Sequence, residues 1–176
     1  MARIIVVFVC SFLTGCSTPS EIMNVPAHVP DAKPTTRTEV GAFSKMNAAV
    51  FQRNKGNLNT ALALLLEAHG LLAPGVSAVA KAAISNQLAL TYFMQESYDN
   101  SIEYYGQAAQ FAKTSGDETG QAVAILGLGD SYRRSGDKRA ATQYWLQAET
   151  IAKSIGFRPL QKAARERIAE HGLEFD

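Results

Sequence analysis

From about residue 40 to residue 171, apolar side chains return every three or four positions. That spacing gathers one face of an α-helix, whereas a strand would alternate with a period of two. Ala141, Trp145, Ala148 and Ala152 form one such stripe, and Ala61, Leu65 and Ala68 form another. The runs are punctuated by Gly56, Gly70, Gly116, Gly136, Gly156 and Gly172, where a helix end favours a residue that tolerates positive φ. The pattern predicts helices over about 40–54, 58–70, 77–95, 98–115, 118–135, 138–155 and 159–171. Six of these make three pairs. The seventh starts with Pro159 at a first-turn position and sets Lys162, Arg165, Glu166, Arg167 and Glu170 around Leu160, Ala163, Ala164 and Ile168. This is the makeup of a terminal helix with one face on the core and the other in water.

The preceding residues have a different character. Arg3 is followed by ten mostly apolar residues, Ile4 to Leu13. A membrane-spanning helix needs about 20, so the run fits the apolar region of an export signal instead. Residues 17 to about 38 then hold four of the six prolines, Pro19, Pro26, Pro30 and Pro34, with no apolar periodicity. A Pro-rich linker of this length reaches at most about 70 Å, at about 3.1 Å per residue. The expected division is a signal peptide over 1–15, a tether over 16–38 and a helical domain over 39–176.

Composition sharpens the fold class. The 27 alanines among 176 residues favour closely packed helices over sheets. The 17 Lys and Arg against 16 Asp and Glu leave a net charge of +1, a poor match to a protein that grips nucleic acid through its phosphates. The balance is uneven, with residues 131–176 holding 9 basic and 6 acidic side chains. Arg133, Arg134, Lys138, Arg139 and Arg158 make that end basic, as a solvated helical face also would. Cys10 and Cys16 make no disulfide framework, and His28, His69 and His171 are too scattered for a metal site. No nucleophile elbow, phosphate-binding loop or zinc-protease motif is present, so no enzymatic activity, cofactor, metal or nucleic acid is expected.

Two stretches carry family resemblances. Leu13-Thr14-Gly15-Cys16 resembles the bacterial lipobox. That resemblance implies a diacylglyceryl group on the Cys16 thiol, cleavage just before it and acylation of the new amino terminus. Ser17 resembles the residue found in lipoproteins forwarded to the outer membrane. The second stretch spans Leu128, Gly129, Tyr132, Gly136, Asp137, Ala141, Trp145 and Ala148, and it resembles a tetratricopeptide repeat. The pattern returns 40 residues upstream at Leu88, Ala89, Tyr92, Tyr98, Ser101, Tyr105 and Ala108, with Glu96 in place of glycine. It returns more faintly at Ala48, Ala49, Gly56, Ala61, Leu65 and Ala68, with Gln52 in place of tyrosine. The 40-residue period is similar to the longer type of these repeats. The implied fold is all-α, a right-handed α-solenoid of about three helix pairs with a C-terminal capping helix.

In that family the first helix of each pair lines a concave groove, and the signature residues pack between helices. The resemblance therefore implies groove positions at Phe43, Met46, Asn47, Val50 and Asn54 in the first repeat. It adds Asn86, Leu90, Phe93 and Met94 in the second, and Leu126, Asp130, Arg133 and Arg134 in the third. The Lys and Arg positions of a carboxylate clamp are not matched in the first repeat. Phe93 beside Met94 would suit an apolar partner side chain. The expected function is a non-catalytic scaffold, lipid-anchored in the cell envelope, outer membrane first, with its groove on another envelope protein or peptide of a pilus or secretion machine. An adaptor for cell-wall enzymes is the nearer alternative, and a small hydrolase or ligand sensor the more distant one.

Overall fold

The computed structural model describes residues 36–171 except Ala73. The expected signal peptide, Cys16 and nearly all of the expected tether lie outside the described residues. Seven helices follow in chain order: α1 Arg37–Asn54, α2 Leu58–Gly70, α3 Ala78–Met94, α4 Tyr98–Ser115, α5 Glu118–Ser135, α6 Lys138–Ser154 and α7 Arg158–His171. No strand occurs among the described residues. The helices form a right-handed α-solenoid of three pairs with α7 as the terminal cap.

The first helix begins earlier than the apolar periodicity suggests because polar residues start it. Thr36 Oγ1 accepts from the Glu39 amide at 3.1 Å, and the Glu39 carboxylate accepts from the Thr36 amide at 3.3 Å, a reciprocal capping box. Glu39 is buried, and its other oxygen accepts from the Ser77 amide at 2.8 Å, just ahead of α3. One carboxylate thus ties the starts of α1 and α3 together.

Helix ends follow the glycine punctuation in most places. Gly116 and Gly136 cap α4 and α5 with φ of 75° and 102°. Gly70 departs from expectation: it is the last residue of α2, Leu71 is the cap, and the turn into α3 uses Gly75 at φ 99°. Glu96 holds the place in the α3–α4 turn that Gly56 holds in α1–α2 and Gly136 in α5–α6, at φ 60°. A side chain in that left-handed region costs about 1 kcal/mol that glycine avoids. Glu96→Gly is expected to raise stability by about that amount, read as an upward shift of the thermal midpoint. A lowered midpoint would show that the carboxylate makes a compensating contact.

The core lies between pairs as well as within them, in three overlapping clusters. The first joins α1, α2 and α3 through Ala42, Met46, Leu65 and Leu88; the next joins α3, α4 and α5 through Ala89, Tyr105, Ala124 and Leu128. The last joins α5, α6 and α7 through Ile125, Trp145, Leu160 and Ala164. A pair removed from the stack would expose apolar surface on both sides, so stability comes from neighbours. Alanines fill the crossings, which lets the backbones approach closely.

Candidate partner-binding groove

The first helices of the pairs, α1, α3 and α5, form the inner row, and the predicted positions divide into three groups along it. Asn47 and Asn54 are exposed. Phe43, Val50, Asn86, Leu90, Met94, Arg133 and Arg134 are partly buried. Met46, Phe93, Leu126 and Asp130 are buried, and for these four the expectation of a partner-facing surface is corrected. Met46 lies in the same stripe as Ala42 and Ala49 and is 2% exposed. Leu126 falls within an unbroken buried run, 124–131, because α5 has a helix pair on one side and α6 with α7 on the other. Phe93 packs edge-to-face on Tyr98, with ring centroids 5.6 Å apart. It cannot act as an exposed partner to Met94.

Asp130 is a structural anion. Its Oδ1 accepts from Trp145 Nε1 at 2.9 Å and from Arg167 Nε at 2.6 Å, linking α5 to α6 and α7. Burial pushes its carboxyl upward from the usual range, while the Arg167 charge and hydrogen bond, the Trp145 hydrogen bond and His171 pull it back. Its Oδ2 has no hydrogen-bond partner. Arg134, expected at the basic end of the groove, is engaged by α4: Nε and Nη2 donate to Tyr98 Oη at 3.1 and 2.9 Å, and the guanidinium lies over the ring.

Besides Asp130 Oδ2, three polar groups of the inner helices are without a hydrogen-bond partner. Asn86 Oδ1 and Arg133 Nε are buried in this state, as is Ser85 Oγ. Asn86 faces a narrow cleft between α3 and the start of α5, with Ala83, Asp117, Gly120 and Val123 around it. An unpaired buried polar atom costs about 1–3 kcal/mol, which a ligand of complementary chemistry can recover.

Arg53 is the residue that sequence reasoning missed. It is buried at 6% exposure, and its Nη1 donates to Gln87 Oε1 at 2.7 Å and Thr91 Oγ1 at 3.5 Å. Burial lowers its pKa from the ordinary arginine value. Tyr105, itself buried with its phenol pushed upward by desolvation, lies within electrostatic reach of Arg53, Asp130 and Arg167. The repeat register was the available signal: 53, 93 and 133 are one position in three successive repeats.

The aromatic signature residues pack helix on helix. Tyr92 stacks on Tyr104 with ring centroids 5.5 Å apart, and one repeat later Tyr132 stacks on Tyr144 at 5.2 Å. Trp145 lies against Gly129, where an added Cβ would fall 2.6 Å from its Cδ1; Tyr105 lies against Gly127 in the same way, at 2.5 Å. Small residues on α5 receive large rings from the outer helices on both sides, Tyr105 from α4 and Trp145 from α6, while the tyrosine stacks repeat 40 residues apart. Residues 80–154 match the family model described as tetratricopeptide repeat. Over those residues the helix pairs match the tetratricopeptide repeat.

Solved structures share the stacked helix pairs. The N-terminal domain of stress-induced protein-1 from C. elegans is 16% identical, with a TM-score of 0.61 over 75% of this chain and 98% of that one. A tetratricopeptide-like protein from Chlorobium tepidum TLS is 18% identical, with a TM-score of 0.62 over 78% of this chain and 98% of that one. At these identities the likeness is one of fold. Among the described residues no three His, Cys, Asp or Glu gather as a metal site, and no helix is long and apolar enough to cross a membrane.

Proposed function

We propose that the chain is a non-catalytic protein-binding scaffold, lipid-anchored through Cys16 to the outer membrane and facing the periplasm. Its inner helices hold a segment of another envelope protein, in a machine such as a pilus or secretion system. The observation that carries the binding reading is the state of the inner row. Asn47 and Asn54 are exposed, Leu90 and Met94 half-buried, and Asn86 Oδ1 and Arg133 Nε unpartnered, all on α1, α3 and α5. The anchor reading is supported by Leu13-Thr14-Gly15-Cys16 after a short apolar run. Three acyl chains exceed the two signals that stable membrane attachment requires.

A photo-reactive residue placed in the full chain at Asn47 or Asn86 should cross-link one envelope protein. The same residue at Leu66 or Leu146, exposed on the outer helices, should not. Equal adducts from both sets would place binding elsewhere. In the same cells Cys16→Ser should move the protein from the membrane to the soluble fraction without loss of helicity. Membrane retention at the parent level would overturn the anchor.

A further inference from the structure

The two ends of the solenoid differ in chemistry. A helix stack needs terminal units whose outer face is polar. At the far end α7 meets that need, with Lys162, Arg165, Glu166 and Glu170 exposed. At the near end α1 does not. Val40 and Phe51 are the most exposed large apolar side chains among the described residues, at 53% and 56%. At 3.6 residues per turn they share one stripe with the exposed Ser44, Ala48 and Lys55, opposite the buried stripe of Ala42, Met46 and Ala49. This outer stripe is about a quarter-turn from Phe43 and Val50, so it lies at the end of the stack and beside the inner row. The Lys55 ammonium sits over the Phe51 ring at 4.3 Å and makes no ion pair among the described residues.

The chain that leads into this stripe carries a matching pattern. Residues 21–29 lie outside the described residues, and helix or strand periods find no apolar face in them. The three-residue turn of polyproline II, which the surrounding prolines favour, does find one. One edge then holds Ile22, Val25 and His28, the next holds Met23, Pro26 and Val29, and the third holds Glu21, Asn24 and Ala27. Ile22 to Val29 spans about 22 Å at about 3.1 Å per residue, and Val40 to Lys55 spans about 22 Å at about 1.5 Å per residue. Residues 30–35 reach up to about 18 Å, enough to reverse direction before the Thr36 cap. A segment joined there must run antiparallel to α1, which brings Val29 to Val40, Val25 and Ile22 to Phe51, and Glu21 to Lys55.

We infer that residues 21–29 dock as a polyproline II strap along the Val40–Phe51 stripe of α1 and close the near end of the solenoid. The strap stands whether or not the inner row binds a partner. Its consequence for placement rests on the Cys16 anchor: a docked strap leaves about five free residues, or roughly 15 Å, between the lipid and α1, where an undocked tether would reach about 70 Å. The α1 end is thereby held next to the bilayer.

The test puts a photo-reactive phenylalanine analogue in place of Phe51 in the full chain, with the same analogue in place of Leu146, exposed on α6, as the control. Irradiation should give a monomer-sized adduct joining position 51 to a peptide from 21–29, identified by mass, and no such adduct from position 146. Ile22→Ser, Val25→Ser and Val29→Ser together should reduce the adduct by about tenfold at unchanged helicity, as lost apolar burial would. They should also lower the thermal midpoint by about 3 °C. No adduct, an adduct of dimer size, an adduct with a different protein, or one that survives the serine substitutions overturns the inference. In the Cys16→Ser chain the adduct should persist, because docking needs only α1; its loss there would show that the membrane orders the segment and would overturn the strap. A persisting adduct in a Cys16→Ser chain still retained on the membrane would uphold the strap and overturn the anchor alone.

Discussion

Trp145→Ala is expected to lower the free energy of unfolding by about 3–5 kcal/mol, the range for deleting a fully buried large aromatic side chain. Trp145 is 1% exposed and joins α5, α6 and α7 in one cluster. Its ring fills the space over Gly129, so its removal leaves a void that Ala141 and Ala148, already closely packed, cannot fill. The substitution also deprives Asp130 of the indole N–H donor at 2.9 Å. Trp145→Phe separates these effects. It restores most of the volume but not the donor, and should cost about 1–3 kcal/mol, the penalty of a lost partner at a buried acceptor. Urea unfolding of the two variants beside the parent reads both numbers. A loss below about 1 kcal/mol for Trp145→Ala would mean that α6 does not pack on α5 through this ring.

Helix number, pairing and most boundaries were legible because each depends on local chemistry. The spacing of Ala141, Trp145, Ala148 and Ala152 becomes the buried face of α6, and Gly116 and Gly136 end their helices with positive φ. Gly70 shows where the punctuation misleads: a glycine at a helix end can stand inside the last turn when a longer turn, here through Gly75, follows. The inner row was legible as a set of helices, but which of its side chains stay open was not. Met46, Phe93, Leu126 and Asp130 occupy inner-helix positions, yet whether such a position is open depends on what the next pair lays over it. A single-helix pattern does not contain that information. Arg53 illustrates the reverse case. A charged residue near a helix end reads as solvated, and only Gln87 and Thr91, 34 and 38 residues downstream, account for its burial.

Asp130→Ala is expected to cost about 3 kcal/mol, within the range for breaking a buried ion pair from one side. The loss arises from what remains: Arg167, with a side chain 13% exposed, keeps its charge without the carboxylate 2.6 Å away, and Trp145 Nε1 loses its acceptor. Arg167→Met should cost a similar amount, because it leaves the Asp130 carboxylate buried, where desolvation already disfavours its charge. The double variant Asp130→Leu, Arg167→Met is expected to recover most of the loss, since a buried pair exchanged for apolar side chains of similar volume is often neutral in stability. With Asp130→Leu alone closing the cycle, the coupling should be about 2 kcal/mol or more, and additive losses would show that the pair does not hold the cap. Location supplies a second readout. Besides this pair, α7 is held chiefly by Leu160 and Ala164, so hydrogen exchange in Asp130→Ala should accelerate first along the second half of α7 and later in α3.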